Sequence, residues 1–264
     1  MVQAVLFGVV ASSPLVIGAF LGARVQVPKR VLAAMLAFAS GALITALAFE
    51  LFEDSYEQGG IWRAAIGLAA GATVFTLLSQ QLDRMARQGA GGTAEPGAGD
   101  GSDKLDVDSA ASDSSPARAS TTGSAGLALL AAVTLDGVPE NLALGISLST
   151  GTGGLALLAA IFVSNLPEAL VGSASMRAQG RSTRFVVGVW TVCAVLLAAA
   201  VVVGAGPLAG LSAETVSLPL AFAAGAVLAS LADTLMPEAY EQGGPTVALS
   251  TTAGFLLSFV LATL

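Results

Sequence analysis

Apolar residues run through this chain in stretches about 20 long, broken by short polar or glycine-rich segments, instead of alternating with polar ones at a strand or surface-helix period. About 20 such residues are needed for a helix to cross a bilayer. Stretches of that kind lie near 2–23, 31–52, 61–82, 124–149, 155–176, 185–206, 216–237 and 245–264. The pattern predicts an all-α membrane protein with eight transmembrane helices. The first stretch has no basic segment ahead of it, and its first basic residue, Arg24, stands at its far end, so it reads as a retained span. Between residues 88 and 123 the pattern stops. Runs such as Gly97-Ala98-Gly99-Asp100-Gly101-Ser102-Asp103 offer too little apolar surface to fold, which predicts a disordered cytoplasmic loop. The expected organisation is helices one to three (1–87), that loop (88–123) and helices four to eight (124–264), in one single transmembrane domain.

Composition agrees with the pattern: 55% of residues are hydrophobic and 11% charged, with a mean hydropathy of +0.80, unlike a soluble domain. Charge adds an orientation. Arg24, Lys29 and Arg30 follow the first span; Arg84, Arg87, Lys104 and Arg118 lie between the third and fourth; Arg177, Arg181 and Arg184 lie between the fifth and sixth. Arg63 alone falls on the other side. The positive-inside rule therefore predicts a multi-pass protein of the cell membrane with both termini extracellular. The formal charge of −7 is divided between the loop and the spans, and no basic patch points to nucleic acid. The loop acids Asp100, Asp103, Asp106, Asp108 and Asp113 read as a solvated linker. A single cysteine, Cys193, excludes an internal disulfide. Small residues such as those of Gly67-Leu68-Ala69-Ala70-Gly71 permit close helix packing, which leaves a homodimer open.

The chain also repeats itself. Residues 36–60 and 220–244 match at 14 of 25 positions without a gap. They belong to the second and seventh spans, five crossings apart, so the two copies run oppositely through the membrane. Inverted repeats of this kind let a carrier present one central site to each side in turn.

Candidate chemistry lies between the copies. Asp136-Gly137-Val138-Pro139-Glu140-Asn141 and Ser164-Asn165-Leu166-Pro167-Glu168-Ala169 each place a proline and a glutamate inside an apolar span. A carboxylate at membrane depth costs roughly 3 kcal/mol, so it needs a partner or a function. No Lys or Arg lies in either span. Each proline also removes a backbone hydrogen bond, freeing the carbonyls of Leu135 and Val163. Asp136 and Glu140 are four apart on one helix, Asn165 and Glu168 three apart on the next, so each pair shares a face. A short connection, Thr150 to Gly154, leads one to expect the two helices as antiparallel neighbours with their oxygens converging. The alternative is that the prolines only kink the helices and the glutamates are buried neutral. Glu50, with Glu53, Asp54 and Glu57 beyond it, and Asp233 and Glu238 on the seventh span mark a candidate transport pathway. No nucleophile–base pair, cofactor loop or zinc-protease motif suggests an enzyme.

These motifs resemble the paired His-Asn-x-Pro-Glu-Gly and Gln-or-His-x-x-Pro-Glu-Gly signatures of the ZIP family of divalent-metal transporters. Asp233-Thr234-Leu235-Met236-Pro237-Glu238 is similar to that family's Asp-Glu-Leu-x-Pro-Glu, with Thr234 in place of its glutamate. The resemblance covers the chain outside residues 88–123. It implies a member with a three-two-three helix arrangement, here histidine-free and, by its Ala- and Gly-rich composition, of bacterial type. It further implies a metal site of Asp136, at the family's histidine position, with Glu140, Ser164 or Asn165, and Glu168. The family's asparagine after the histidine is replaced by Gly137. The divalent ion is then a substrate, not a cofactor, and the other partner is the lipid bilayer. Oxygen ligands without imidazole shift the expected preference from zinc toward Mn²⁺ or Fe²⁺. Three carboxylates so close repel one another, so metal entry is expected to release a proton. A transport-inactive or sensory homologue, or an ion-coupled carrier of another small solute, are the alternative expectations.

Overall fold

The structure, a computed structural model, describes residues 1–90, 124–150, 154–208 and 210–263. The expected loop at 88–123 lies outside them, except that a helix runs on to Ala90. Among the described residues the chain is helical throughout, with no strand. The helices are α1 (Val2–Gly22), α2 (Lys29–Ala46), α3 (Glu53–Ala90), α4 (Ser124–Thr150), α5 (Leu155–Ala178), α6 (Thr183–Ala205), α7 (Ala213–Ser230), α8 (Met236–Gly243) and α9 (Thr246–Ala262). A π-helical turn, Leu47–Phe52, joins α2 to α3, and another, Leu231–Leu235, joins α7 to α8. Among the described residues, five stretches are long and apolar enough to cross a membrane: Val2–Gly22, Lys29–Leu82, Leu155–Ala178, Thr183–Ala205 and Ala213–Gly243. Large apolar side chains cover the outside of the bundle, with Val2, Ile66, Val195 and Leu249 all more than 60% exposed. A surface of that kind fits lipid, not water.

The sequence repeat is legible in the backbone. The two π-helical turns fall at matching repeat positions, as do Gly60 and Gly244, with φ of 74° and 58°. Those values lie in the left-handed region that only glycine enters cheaply, and Gly60 breaks α3 into two helical limbs. Packing repeats as well. The tightest pairs are α3 with α7 and α2 with α9, then α1 with α5 and α4 with α6. Exchanging α1 with α6, α2 with α7, α3 with α9 and α4 with α5 turns each of these pairs into another. Glycines permit the close approach: Gly71 and Gly254 sit directly on the carbonyls of Phe222 and Phe38, which are themselves repeat-related. Across α2 and α9, Thr45 Oγ1 donates to the carbonyl of Phe255 at 3.1 Å.

One expectation fails. α4 and α5 touch only sparsely, with Gly154 at the head of α5 lying near Leu144, Ser147 and Leu148. A short connection ties only the ends of two helices. Along their lengths α5 is held by α1 and α2, and α4 by α6 and α7. A core of Leu15, Ala19, Ala169, Cys193 and Leu197, with Val133 and Val138 against it, draws on α1, α4, α5 and α6 together.

Candidate functional site

Pro139 and Pro167 are both inside continuous helices, α4 and α5, so each motif stays helical through its proline. Glu140, the residue after Pro139, is 5% exposed. Glu168, after Pro167, is half-buried and within electrostatic reach of Cys193 on α6, which also lies beside Thr134 of α4. Cys193 thus lies near residues of both motif-bearing helices. Asp136 lies on α4 one turn before Glu140, but its side chain is outside the described residues.

The polar residues of the second motif are tied to backbone. Ser164 Oγ donates to the Ile161 carbonyl of its own helix at 3.1 Å. Asn165 Nδ2 donates to the carbonyl of Ala11 at 2.8 Å, pinning α5 to α1. A carbonyl can face only the NH₂ end of an amide, so the Asn165 oxygen is turned away from Ala11. Both side chains are buried. Each keeps an oxygen able to accept, but both serve structure as well, which periodicity alone did not indicate.

The pathway candidates are scattered. Glu50, 9% exposed on the first π-helical turn, accepts a hydrogen bond from the backbone N–H of Leu157 at 3.0 Å, and that of Ala156 also reaches it. These are orphan donors of the first turn of α5, whose N-cap, Gly154, has no side chain to satisfy them. Glu50 thus caps a helix more than 100 residues away in sequence. It also stands on the edge of an open cleft of about 230 Å³ with Phe49, Glu53, Asp54, Phe259, Ala262 and Thr263. Asp233 is exposed on the second π-helical turn and accepts from Ser79 Oγ at 2.9 Å. Glu238, half-buried on α8, lies beside Glu241. Among the described residues no three Asp, Glu or Cys side chains gather closely enough to hold a metal ion. The expected third carboxylate, that of Asp136, is not among those side chains.

Two residues were missed by sequence reasoning. Cys193 gave no signal beyond its apolar surroundings. Asn141, fully buried beside Glu140, did: an amide in an apolar span, at a position where the resembled motif carries glycine. No family model matches the chain, and no curated protein matches it.

Proposed function

We infer that this chain is a carrier of divalent metal cations of the ZIP type, moving ions of the Zn²⁺, Mn²⁺ or Fe²⁺ class toward the cytoplasm by alternating access. The observation that carries the reading is the buried Glu140 behind Pro139 on α4, matched by Glu168 behind Pro167 on α5. A buried and a half-buried carboxylate beside proline-freed carbonyls, without a basic residue in either span, favour a cation. The repeat-related packing supports alternating access.

Membrane crossing follows from length. The stretch Lys29–Leu82 has 54 residues. As a single helix it would measure about 80 Å, against a hydrocarbon core of about 30 Å, so it reads as two crossings divided at Gly60. With α4 and α9 added, the count becomes eight in a three-two-three order, both termini outside by the charge rule. On this reading the ion exchanges water for Glu140, Glu168, Asp136 and the oxygen of Asn165, with Ser164 adjacent. Glu50, Asp233 and Glu238 lie along the approaches. An oxygen-only set favours harder ions over zinc.

The test is uptake of Zn²⁺, Mn²⁺, Fe²⁺, Co²⁺, Cd²⁺ and Mg²⁺ into proteoliposomes, with Glu140→Ala and Glu168→Ala beside the unaltered protein. Saturable uptake abolished in both variants is expected. Uptake undiminished in the variants removes the assigned site. The engagement of Ser164 and Asn165 with backbone favours a second reading, a transport-inactive or sensory homologue. Metal binding without flux would select it.

A further inference from the structure

Asn141 follows Glu140 on α4 and is 0% exposed. Its Nδ2 donates to the carbonyl of Gly137, one turn earlier, at 2.8 Å. Its Oδ1 is buried and, among the described residues, has no hydrogen-bond donor. The orientation is fixed by chemistry, because reversing the amide would set two oxygens against each other. An acceptor buried in this way costs about 1–3 kcal/mol unless something positive reaches it. Gly137 is part of the same arrangement. A side chain at that position would meet Leu197 of α6, its Cβ falling 2.6 Å from Leu197 Cδ1. The resembled motif has asparagine at this position and glycine at that of Asn141; here the two are interchanged across one helical turn. The amide thus reaches back over a residue that has no side chain.

We propose that Asn141 Oδ1 is an additional ligand for the divalent cation handled by Glu140, supplying from one turn later the amide oxygen that Gly137 lacks. The inference rests on the carrier reading and extends its site by one residue. A neutral oxygen adds affinity without another negative charge in an already acidic site, and an amide oxygen is a hard donor suited to Mn²⁺. The residue therefore acts on affinity and on the choice of metal.

The experiment is Mn²⁺ binding to the purified full chain in nanodiscs, followed by electron paramagnetic resonance, with a thermal melt of each metal-free sample. Asn141→Ala is expected to weaken Mn²⁺ binding about tenfold, one ligand's worth, without lowering the metal-free melting temperature. Asn141→Asp, which keeps an oxygen, is expected to retain binding. If Asn141→Ala binds Mn²⁺ as the unaltered chain does, or if the metal-free melt falls while affinity is unchanged, Asn141 has only a structural role and the proposal fails. Glu140→Ala separates the two layers. Binding lost in Glu140→Ala but kept in Asn141→Ala overturns this inference alone. Absence of Mn²⁺, Zn²⁺ and Cd²⁺ binding in the unaltered chain overturns the carrier reading, and this inference with it.

Discussion

Replacing Glu50 by alanine removes the carboxylate that caps the first turn of α5. The backbone N–H groups of Ala156 and Leu157 both point at this carboxylate, with the Leu157 bond at 3.0 Å, and Gly154 offers no substitute. Both residues are buried, so a water replacing the lost acceptor would have to enter from the cleft that Glu50 borders. A buried donor left unsatisfied costs about 1–3 kcal/mol. Two such donors, less the relief of no longer burying a carboxylate, leave a net loss of about 2 kcal/mol. Helix ends open locally, so the loss should concentrate there, and 2 kcal/mol corresponds to about 30-fold faster amide exchange. Hydrogen–deuterium exchange of the peptide covering the start of α5 measures it directly. Glu50→Gln keeps an acceptor oxygen of the same reach and should recover most of the protection. Unchanged exchange at Ala156 and Leu157 in Glu50→Ala, or equal acceleration in the glutamine variant, would refute the capping role.

Glycine substitutions should sort by what the new methyl meets. Gly71→Ala drives its Cβ into the Phe222 carbonyl, which cannot yield without moving α7, whereas Gly137→Ala meets the free end of Leu197. The first should cost about 3 kcal/mol and the second under about 1, seen as a melting temperature several degrees lower for Gly71→Ala in the same detergent. Arg63 pairs with Glu214 at 2.5 Å and donates to its carbonyl at 2.7 Å, with side chains 40% and 65% exposed. Arg63→Ala should therefore destabilise by no more than about 1 kcal/mol, and the difference should shrink at 1 M salt.

The all-helical architecture and its repeat were legible because apolar run length and self-similarity survive in a single sequence. The match of residues 36–60 with 220–244 is echoed by the paired π-helical turns and the paired glycines at 60 and 244, though neither was expected from it. Lateral packing was not legible. The connection after Thr150 pointed to α4 against α5, but their flanks are taken by α6 and α1, and nothing in a run of apolar letters records which helix fills a gap. Within the candidate site, the buried glutamates announced themselves by their cost in an apolar span. The engagements of Asn165 with Ala11 and of Glu50 with Leu157 join residues over 100 positions apart, and sequence spacing carries no trace of them. Asn141 was in plain view beside Glu140, but its significance appears only once the Gly137 carbonyl fixes its amide.

The bond from Thr45 on α2 to Phe255 on α9 joins residues 210 positions apart. Chain synthesis at about 5–20 residues per second separates their appearance by roughly 10–40 s. Through that interval α2 is in the bilayer with the flank around Gly41 facing lipid, while α9 has yet to leave the ribosome. The same holds for α3, which waits for α7. Assembly of the α2–α9 pair thus waits for α9, and a nascent chain stalled before α9 leaves an unmatched helix surface open to quality-control proteases.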